Sequence, residues 1–499
     1  MKTFFWIILL LLSLNLGISL RTPGYNVIPD PYIILDEHTN VWHGLSIRKT
    51  GIPAAWSILG TYRADSITMG AGGAPDGFNI SVDGKKPTLS NFSSFPKPVI
   101  GVYEFDFGRG LSQTQLVQPY LDHPPFGAIV LSMFVSKNAK KFADVNNYDL
   151  RQSSLYLAIL TQILIFILAF LITKKYFIGI IASTIYATVP SYVLLSRYAL
   201  LENVLSPLIL CVLILLLLAK NRLDNNKTDK LFNLILIAAS IFGGLGALTK
   251  LTGWVFIFGY ITLLYLWKFK FKYILIYAIP ACIIGVLYFV WGFYLAPKLF
   301  TDLLLLQTNR DFIGSINLLV TFFRVSIFNF PLDGWWIGGF ITLLLIPREK
   351  RYLPVAVVVV TSLVSALGLV GTNYPWYFIT LIPFMAIAMA IFFYQLAIKP
   401  SFISILLTFF VFVSSSFYWG YGVYQKIQPF MLYRLIFLLF ISMAIFWSLN
   451  QKVNQDVKKV WYIGIIILLL LFAILNRESM FFILEHWGKL PLIYTPGTF

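Results

Sequence analysis

SSLYLAILTQILIFILAFLIT, residues 153–173, runs directly into Lys174-Lys175. At ~1.5 Å of rise per helical residue, such a run crosses roughly 30 Å of hydrocarbon, and the two lysines mark where it leaves the lipid. Comparable runs lie near 4–20, 177–195, 204–219, 231–248, 252–267, 273–294, 335–346, 353–371, 377–397, 402–419, 431–449 and 460–475. The chain has 499 residues, 58% hydrophobic and 12% charged, with a mean hydropathy of +0.79. That leaves too little polar surface to cover a globular exterior in water. The fold class expected is an all-α polytopic membrane protein of about 13 transmembrane helices.

Charge placement tests this map, because Lys and Arg of short loops favour the cytoplasmic side. With Lys2 inside, alternate loops should be basic, and they are: Lys174-Lys175, Lys220 to Lys230, Lys268 to Lys272, Arg348 to Arg351, Lys399, and Lys452 to Lys459. The intervening short loops are nearly free of lysine apart from Lys250 and Lys298. A net charge of +17 is therefore mostly topology, and no nucleic-acid partner is expected, since the positives form no aromatic-interleaved patch. Residues 1–20 could also be a cleaved signal peptide, but small residues at the cleavage offsets are missing. Cys211 and Cys282 each fall inside an apolar run and are read as packing residues.

The first long polar stretch, Arg21 to about Arg151, falls outside the cytoplasm on this map. It carries turn signals at Pro23-Gly24, Pro75-Asp76-Gly77 and Asp83-Gly84, and sequons at Asn79 and Asn91. Residues 38–50 place Val41, Leu45 and Arg48 at helical spacing, which suits a short helix in the interface with Trp42 at headgroup depth, ended by Gly51-Ile52-Pro53. Asp36-Glu37 stands just before this helix, after the apolar lead-in Tyr32-Ile33-Ile34-Leu35. Adjacent carboxylates face different ways, so one can aim at a substrate while the other anchors the loop; the alternative is a simple helix cap. In Asp122-His123-Pro124-Pro125 the prolines stiffen the start of a helix, and His123 can donate to an anion. Arg197 and Glu202, five apart at a membrane boundary, could pair with each other. Lys250 ends the glycine-rich run Gly243 to Thr249 on the side where short loops lack positive charge; its natural partner there is an anion, most simply a lipid phosphate.

Four motifs in order, all on one side of the membrane, carry a resemblance: Asp36-Glu37; His123-Pro124-Pro125-Phe126-Gly127; Ser196-Arg197-Tyr198-Ala199-Leu200-Leu201-Glu202; and Gly244-Leu245-Gly246-Ala247-Leu248-Thr249-Lys250-Leu251-Thr252-Gly253. Together they resemble the protein O-mannosyltransferase and aminoarabinose lipid A transferase group of GT-C glycosyltransferases. The resemblance covers about residues 1–260, with a weaker aromatic-proline echo from Tyr374-Pro375-Trp376-Tyr377 to Pro383. It implies a GT-C type bundle with a large extracytoplasmic first loop, and an inverting transfer of a sugar from a dolichyl- or undecaprenyl-phosphate donor to an extracytoplasmic hydroxyl of a protein, glycan or lipid.

By that resemblance Asp36 is the general base and Glu37 supports the loop or acceptor. Arg197, Lys250 and His123 bind the donor phosphate, while Glu202, Asp122 and Tyr198 position sugar or acceptor. The implied organisation is a first transmembrane helix 1–20, an extracytoplasmic loop 21–152 with interfacial helices and the acids, a transmembrane module 153–294 with the phosphate-binding residues, a second extracytoplasmic loop 295–334, C-terminal transmembrane helices 335–475 and an extracytoplasmic tail 476–499. The location implied is the plasma (inner) membrane. No cofactor is required and no metal site is expected, with a divalent cation between Asp36 and phosphate left open. Two positions depart from the mannosyltransferase pattern: Glu202 stands where Asp is usual, and Ala128 where Lys is frequent. Tail 476–499 is too short for a soluble module. Readings from other classes are a secondary transporter or lipid flippase, for which no internal repeat is evident, and a nonenzymatic scaffold.

Overall fold

A computed structural model of the chain describes residues 2–29, 36–56, 101–106, 111–117, 119–139, 145–308, 326–327, 330–331, 334–346, 349–368, 375–417, 430–450 and 454–487. Helices dominate. In chain order they are α1 Lys2–Arg21, α2 Asp36–Thr50, α3 Pro125–Leu131, α4 Asn147–Thr173, α5 Tyr176–Thr188, α6 Pro190–Leu195, α7 Leu201–Asp224, α8 Lys230–Thr249, α9 Gly253–Leu266, α10 Phe271–Leu295 and α11 Pro297–Thr308. The C-terminal half adds α12 Gly334–Leu344, α13 Leu353–Gly368, α14 Ile382–Ile398, α15 Phe402–Ser416 with a π turn over Thr408–Val413, α16 Phe430–Leu449 and α17 Gln455–His486. A small antiparallel sheet, β1 Ala55–Trp56, β2 Gly101–Asp106 and β3 Leu111–Val117 in the order β1-β3-β2, lies between α2 and α3, and the short pair β4 Ser326–Ile327 and β5 Phe330–Pro331 precedes α12.

Each apolar run of the sequence is helical over most of its described residues, and among those residues eight helices are long and apolar enough to cross a membrane. The run 177–195, expected as one span, is broken. Pro190 divides it into α5 and α6, since proline lacks the N–H that would continue the ladder. Along α10, Ile279, Ile283, Val286, Leu287 and Val290 form an exposed apolar stripe with no charge in it. Such a face is matched to lipid tails and not to water. The protein is an integral membrane protein, with the loop lysines at one end of the bundle. Lys174 and Lys175 follow α4, Lys220 and Lys227 lie around the α7–α8 connection, and Lys268 and Lys270 join α9 to α10.

The opposite end holds α2, which is where the structure departs from the sequence expectation of an interfacial helix. Residues Glu37 to Ser46 are all buried, and Trp42 sits inside the protein with Val41 and Leu45, packed with Leu131, Leu150, Ala199 and Val204. The helix is covered by protein because Gly44 lets it cross α3 at backbone contact: a Cβ there would lie 1.9 Å from the Ala128 carbonyl oxygen. Arg48 then donates to the Ser132 carbonyl and Lys49 to that of Ala139 at 2.5 Å, so the helix is stapled along its length to the segment after α3. Gly51, at φ +73°, closes it as the sequence predicts. The glycines of α8 serve the same purpose, with Gly243 against the Tyr277 hydroxyl and Gly244 against Ile284 and the Ala281 carbonyl of α10. The turns and sequons over 75–93, the charged residues Arg310, Asp311, Arg324 and Asp333, and the tail beyond 487 lie outside the described residues.

Gly44→Ala is expected to force α2 off α3 and lower the melting temperature of the purified protein by several degrees. Gly464→Ala, where an added Cβ meets nothing within 4 Å, should leave it unchanged. Equal melting of the two variants would contradict the close crossing.

Candidate active site

Three buried arginines organise the end of the bundle where α1 stops and α4 and α7 start. Arg21, in the last turn of α1, donates to the Tyr186 carbonyl at 2.8 Å and to Ser196 Oγ at 2.8 Å. Arg197 donates to the Leu20 carbonyl at 2.7 Å and that of Ile28 at 2.8 Å. Arg151, in α4, reaches the carbonyls of Tyr25 at 2.8 Å and Pro29 at 2.6 Å. The segment from Leu20 to Pro29 is therefore gripped at four of its carbonyls by Arg151 and Arg197, side chains that cannot lose their charge cheaply. Burial, then the charges of Arg151 and Arg21, lowers the Arg197 guanidinium to about 9, still protonated at neutral pH.

Glu37 completes the clamp. Its carboxylate receives a two-pronged pair from Arg151, Nε to Oε1 at 2.9 Å and Nη2 to Oε2 at 2.6 Å, with both side chains fully buried. Oε1 also accepts the Ala199 amide at 2.7 Å, and Asn40 Nδ2 reaches the Ala199 carbonyl at 3.3 Å. The Arg151 guanidinium lies over the Tyr198 ring, 5.0 Å from its centre. Glu37 thus anchors α2 to the 196–200 segment, with Tyr198 as the floor beneath the pair. Asp36, its neighbour in the first turn of α2, is only half-buried. One carboxylate is locked into the frame while the other stands at its edge.

Lys250 caps the C-terminus of α8 and pairs with Glu202 in the first turn of α7, with its ammonium 4.6 Å from the centre of the Tyr377 ring. This replaces the pairing of Arg197 with Glu202 that their spacing allowed. Arg197 precedes α7 and turns back to α1, whereas Glu202 is already helical and faces the end of α8. The terminal nitrogens of Arg197 serve carbonyls, and its Nε, also buried, makes no hydrogen bond. A cavity of about 20 Å³ opens beside the Lys250–Glu202 pair.

Asp122 is buried and His123 half-buried, just after Tyr120, whose ring meets His43 of α2 edge-on at 4.8 Å and His123 at 6.3 Å. Tyr120 is held by its amide, which donates to the Pro53 carbonyl at 2.9 Å, and Leu121 by the Tyr288 hydroxyl at 2.6 Å. Pro125 starts α3 as the sequence predicts, and Gly127 brings that helix against Thr249 and Leu201, the neighbours of Lys250 and Glu202. The four sequence motifs accordingly converge: α2 on Ala199, and α3 on both α2 and the Lys250 segment. Among the described residues no group of three or more His, Cys, Asp or Glu side chains is placed to hold a metal ion.

Arg21 and Arg151 were not singled out from sequence, though a signal was present. Both flank the long loop on the side where positive charge is disfavoured, the same anomaly that marked Lys250. His38 and His43 were also passed over; burial holds both imidazoles neutral, lowering each to about 3, helped at His38 by the Arg151 charge.

The family model for dolichyl-phosphate-mannose-protein mannosyltransferases matches residues 123–303, the part that runs from His123 through Lys250, so the resemblance carried by the motifs holds there. No curated protein sequence matches. Among solved structures, ArnT from Cupriavidus metallidurans bound to undecaprenyl phosphate is similar with a TM-score of 0.49 at 14% identity, over 98% of this chain and 80% of that one. The apo form of ArnT gives 0.43 at 15% identity over 75% and 70%. The Archaeoglobus fulgidus oligosaccharyltransferase AglB, in complex with an inhibitory peptide and a dolichol-phosphate, gives 0.44 at 13% identity over 96% of this chain and 56% of its own.

Two outcomes test the clamp. Glu37→Gln and Arg151→Met should each cost about 3–5 kcal/mol by stranding a buried charge or its partner groups, and the double variant should lose less than the sum. Additive losses in melting experiments would contradict the pairing. For the histidines, the unfolded chain titrates near 6.5 and the folded one near 3. The unfolded state therefore takes up more protons between those values, so their contribution is full above about pH 6.5 and is lost as pH falls toward 3. His43→Phe should flatten the acid side of the melting curve; an unchanged slope would refute it.

Proposed function

We propose that this protein is an inverting glycosyltransferase that takes a sugar from a polyprenyl-phosphate donor and delivers it to an acceptor hydroxyl at the membrane surface opposite the lysine-rich loops. The arrangement that favours the reading is a half-buried Asp36, next to the Glu37 that Arg151 locks, at the same end of the bundle as the Lys250 ammonium, which ends α8 and is held by Glu202. The family match over residues 123–303 supports the same chemistry.

Asp36 accepts the proton of the acceptor hydroxyl as its oxygen attacks the anomeric carbon. The bond from that carbon to the phosphate oxygen breaks, and the polyprenyl phosphate departs with the electron pair. Charge builds on the phosphate, and Lys250 offsets it, with the remaining Nε donor of Arg197 and His123 as further ligands. A single displacement inverts the anomeric centre. Glu37 keeps Asp36 in place without touching substrate, and Glu202 yields Lys250 to the phosphate when the donor binds. Asp122, beside the Tyr120–His123 segment, and Tyr198 shape the acceptor side. In this proposal the basic loops face the cytoplasm and the chemistry lies on the other side of a plasma membrane, with a protein, glycan or lipid hydroxyl as acceptor.

Asp36→Asn should reduce turnover by about 10²–10⁴-fold with little change in the KM for donor, whereas Lys250→Met should raise that KM. Wild-type turnover from Asp36→Asn would overturn the assignment of the base.

A further inference from the structure

The cavity beside Lys250 has a second wall, and it comes from the C-terminal half of the chain, beyond the residues that match the family model. Ser362 and Ser365, three apart and so on one face of α13, line it together with Tyr377 and Thr380, which lie in the 3₁₀ segment Pro375–Leu381. Ser362, Ser365 and Thr380 are all buried. A serine inside a helix ordinarily returns its hydroxyl to the carbonyl four residues back, as the neighbouring Thr361 does to Val357 at 2.7 Å. Ser362 does not; its buried Oγ has no hydrogen-bond partner. A buried hydroxyl left unsatisfied costs about 1–3 kcal/mol and is unusual unless an ordered water or a ligand completes it.

The chemistry of the wall suits the oxygens of an anion. A phosphodiester carries one negative charge and several oxygen lone pairs. Lys250 answers the charge, and the other oxygens need donors that bring no further buried charge. Hydroxyls meet that need. At about 20 Å³ the cavity has room for about one water-sized group, the size of a single phosphate oxygen. We propose that Ser362, Ser365 and Thr380 donate hydrogen bonds to the phosphate of the polyprenyl-phosphate donor, making the C-terminal half part of the donor site. This rests on the reading of Lys250 as the phosphate-binding cation.

The test is binding of farnesyl phosphate, with uncharged farnesol in parallel, to the purified full-length protein in detergent. The Ser362→Ala/Ser365→Ala double variant should bind farnesyl phosphate about tenfold more weakly, as expected for hydrogen bonds to a charged group, with farnesol binding unchanged and the ligand-free melting temperature equal to or above that of the wild type. If the double variant melts early, Ser365→Ala alone is measured, with about threefold weakening expected on the same basis. Wild-type affinity in the serine variants while Lys250→Met loses binding would overturn the inference and leave the function standing. Equal weakening for farnesol would overturn it too, because the serines would then be shaping the lipid groove. Unchanged binding by Lys250→Met would remove the phosphate site and this inference with it.

Discussion

The fully buried pair of Arg151 with Glu37 is the constraint on which the rest of this end of the molecule depends. Two charges out of water are costly, and they are tolerated here because every direction of the pair is used. The guanidinium fork holds both carboxylate oxygens and two backbone carbonyls, and its face rests on Tyr198. Because Glu37 also takes the Ala199 amide, one ion pair joins α2, α4, the segment after α1 and the segment before α7. Removing either partner leaves a charge with nowhere to go.

That arrangement gives Asp36 and Lys250 a common frame. Asp36 sits one residue from the clamped Glu37, and Lys250 is held by Glu202, three residues after the clamped Ala199. Positions fixed in this way would keep the proposed base and the proposed phosphate-binding cation in register. The two neutral histidines of α2 belong to the same economy. Burial disfavours an imidazolium at either position, and at His38 the Arg151 charge adds to that, so both stay uncharged.

Sequence made the bundle legible because lipid imposes length and polarity on every span, and loop lysines impose a side. It was less informative about α2. Its residues are polar enough to suggest the interface, and nothing in the spacing of Val41, Leu45 and Arg48 says that α3 will cover them; only Gly44 hints at it, through the backbone contact with Ala128. The site was legible as four separated motifs, yet the bonds between them were not. Arg197 and Glu202 lie close in sequence but face different helices, and the true partners, Arg151 for Glu37 and Lys250 for Glu202, are separated by 114 and 48 residues. The rule that exposed Lys250 as an anomaly applies equally to Arg21 and Arg151. Ser362 and Ser365 had no signal, since a serine in an apolar helix usually bonds its own backbone.

The account stands on chemistry at the phosphate, not passage of a lipid across the membrane. The most direct measurement is mass spectrometry of a polyprenyl-phosphate sugar incubated with the purified protein in vesicles. The account predicts release of one free polyprenyl phosphate for each sugar transferred to an acceptor or, slowly, to water. Donor that changes leaflet intact, with no release of polyprenyl phosphate, would contradict it.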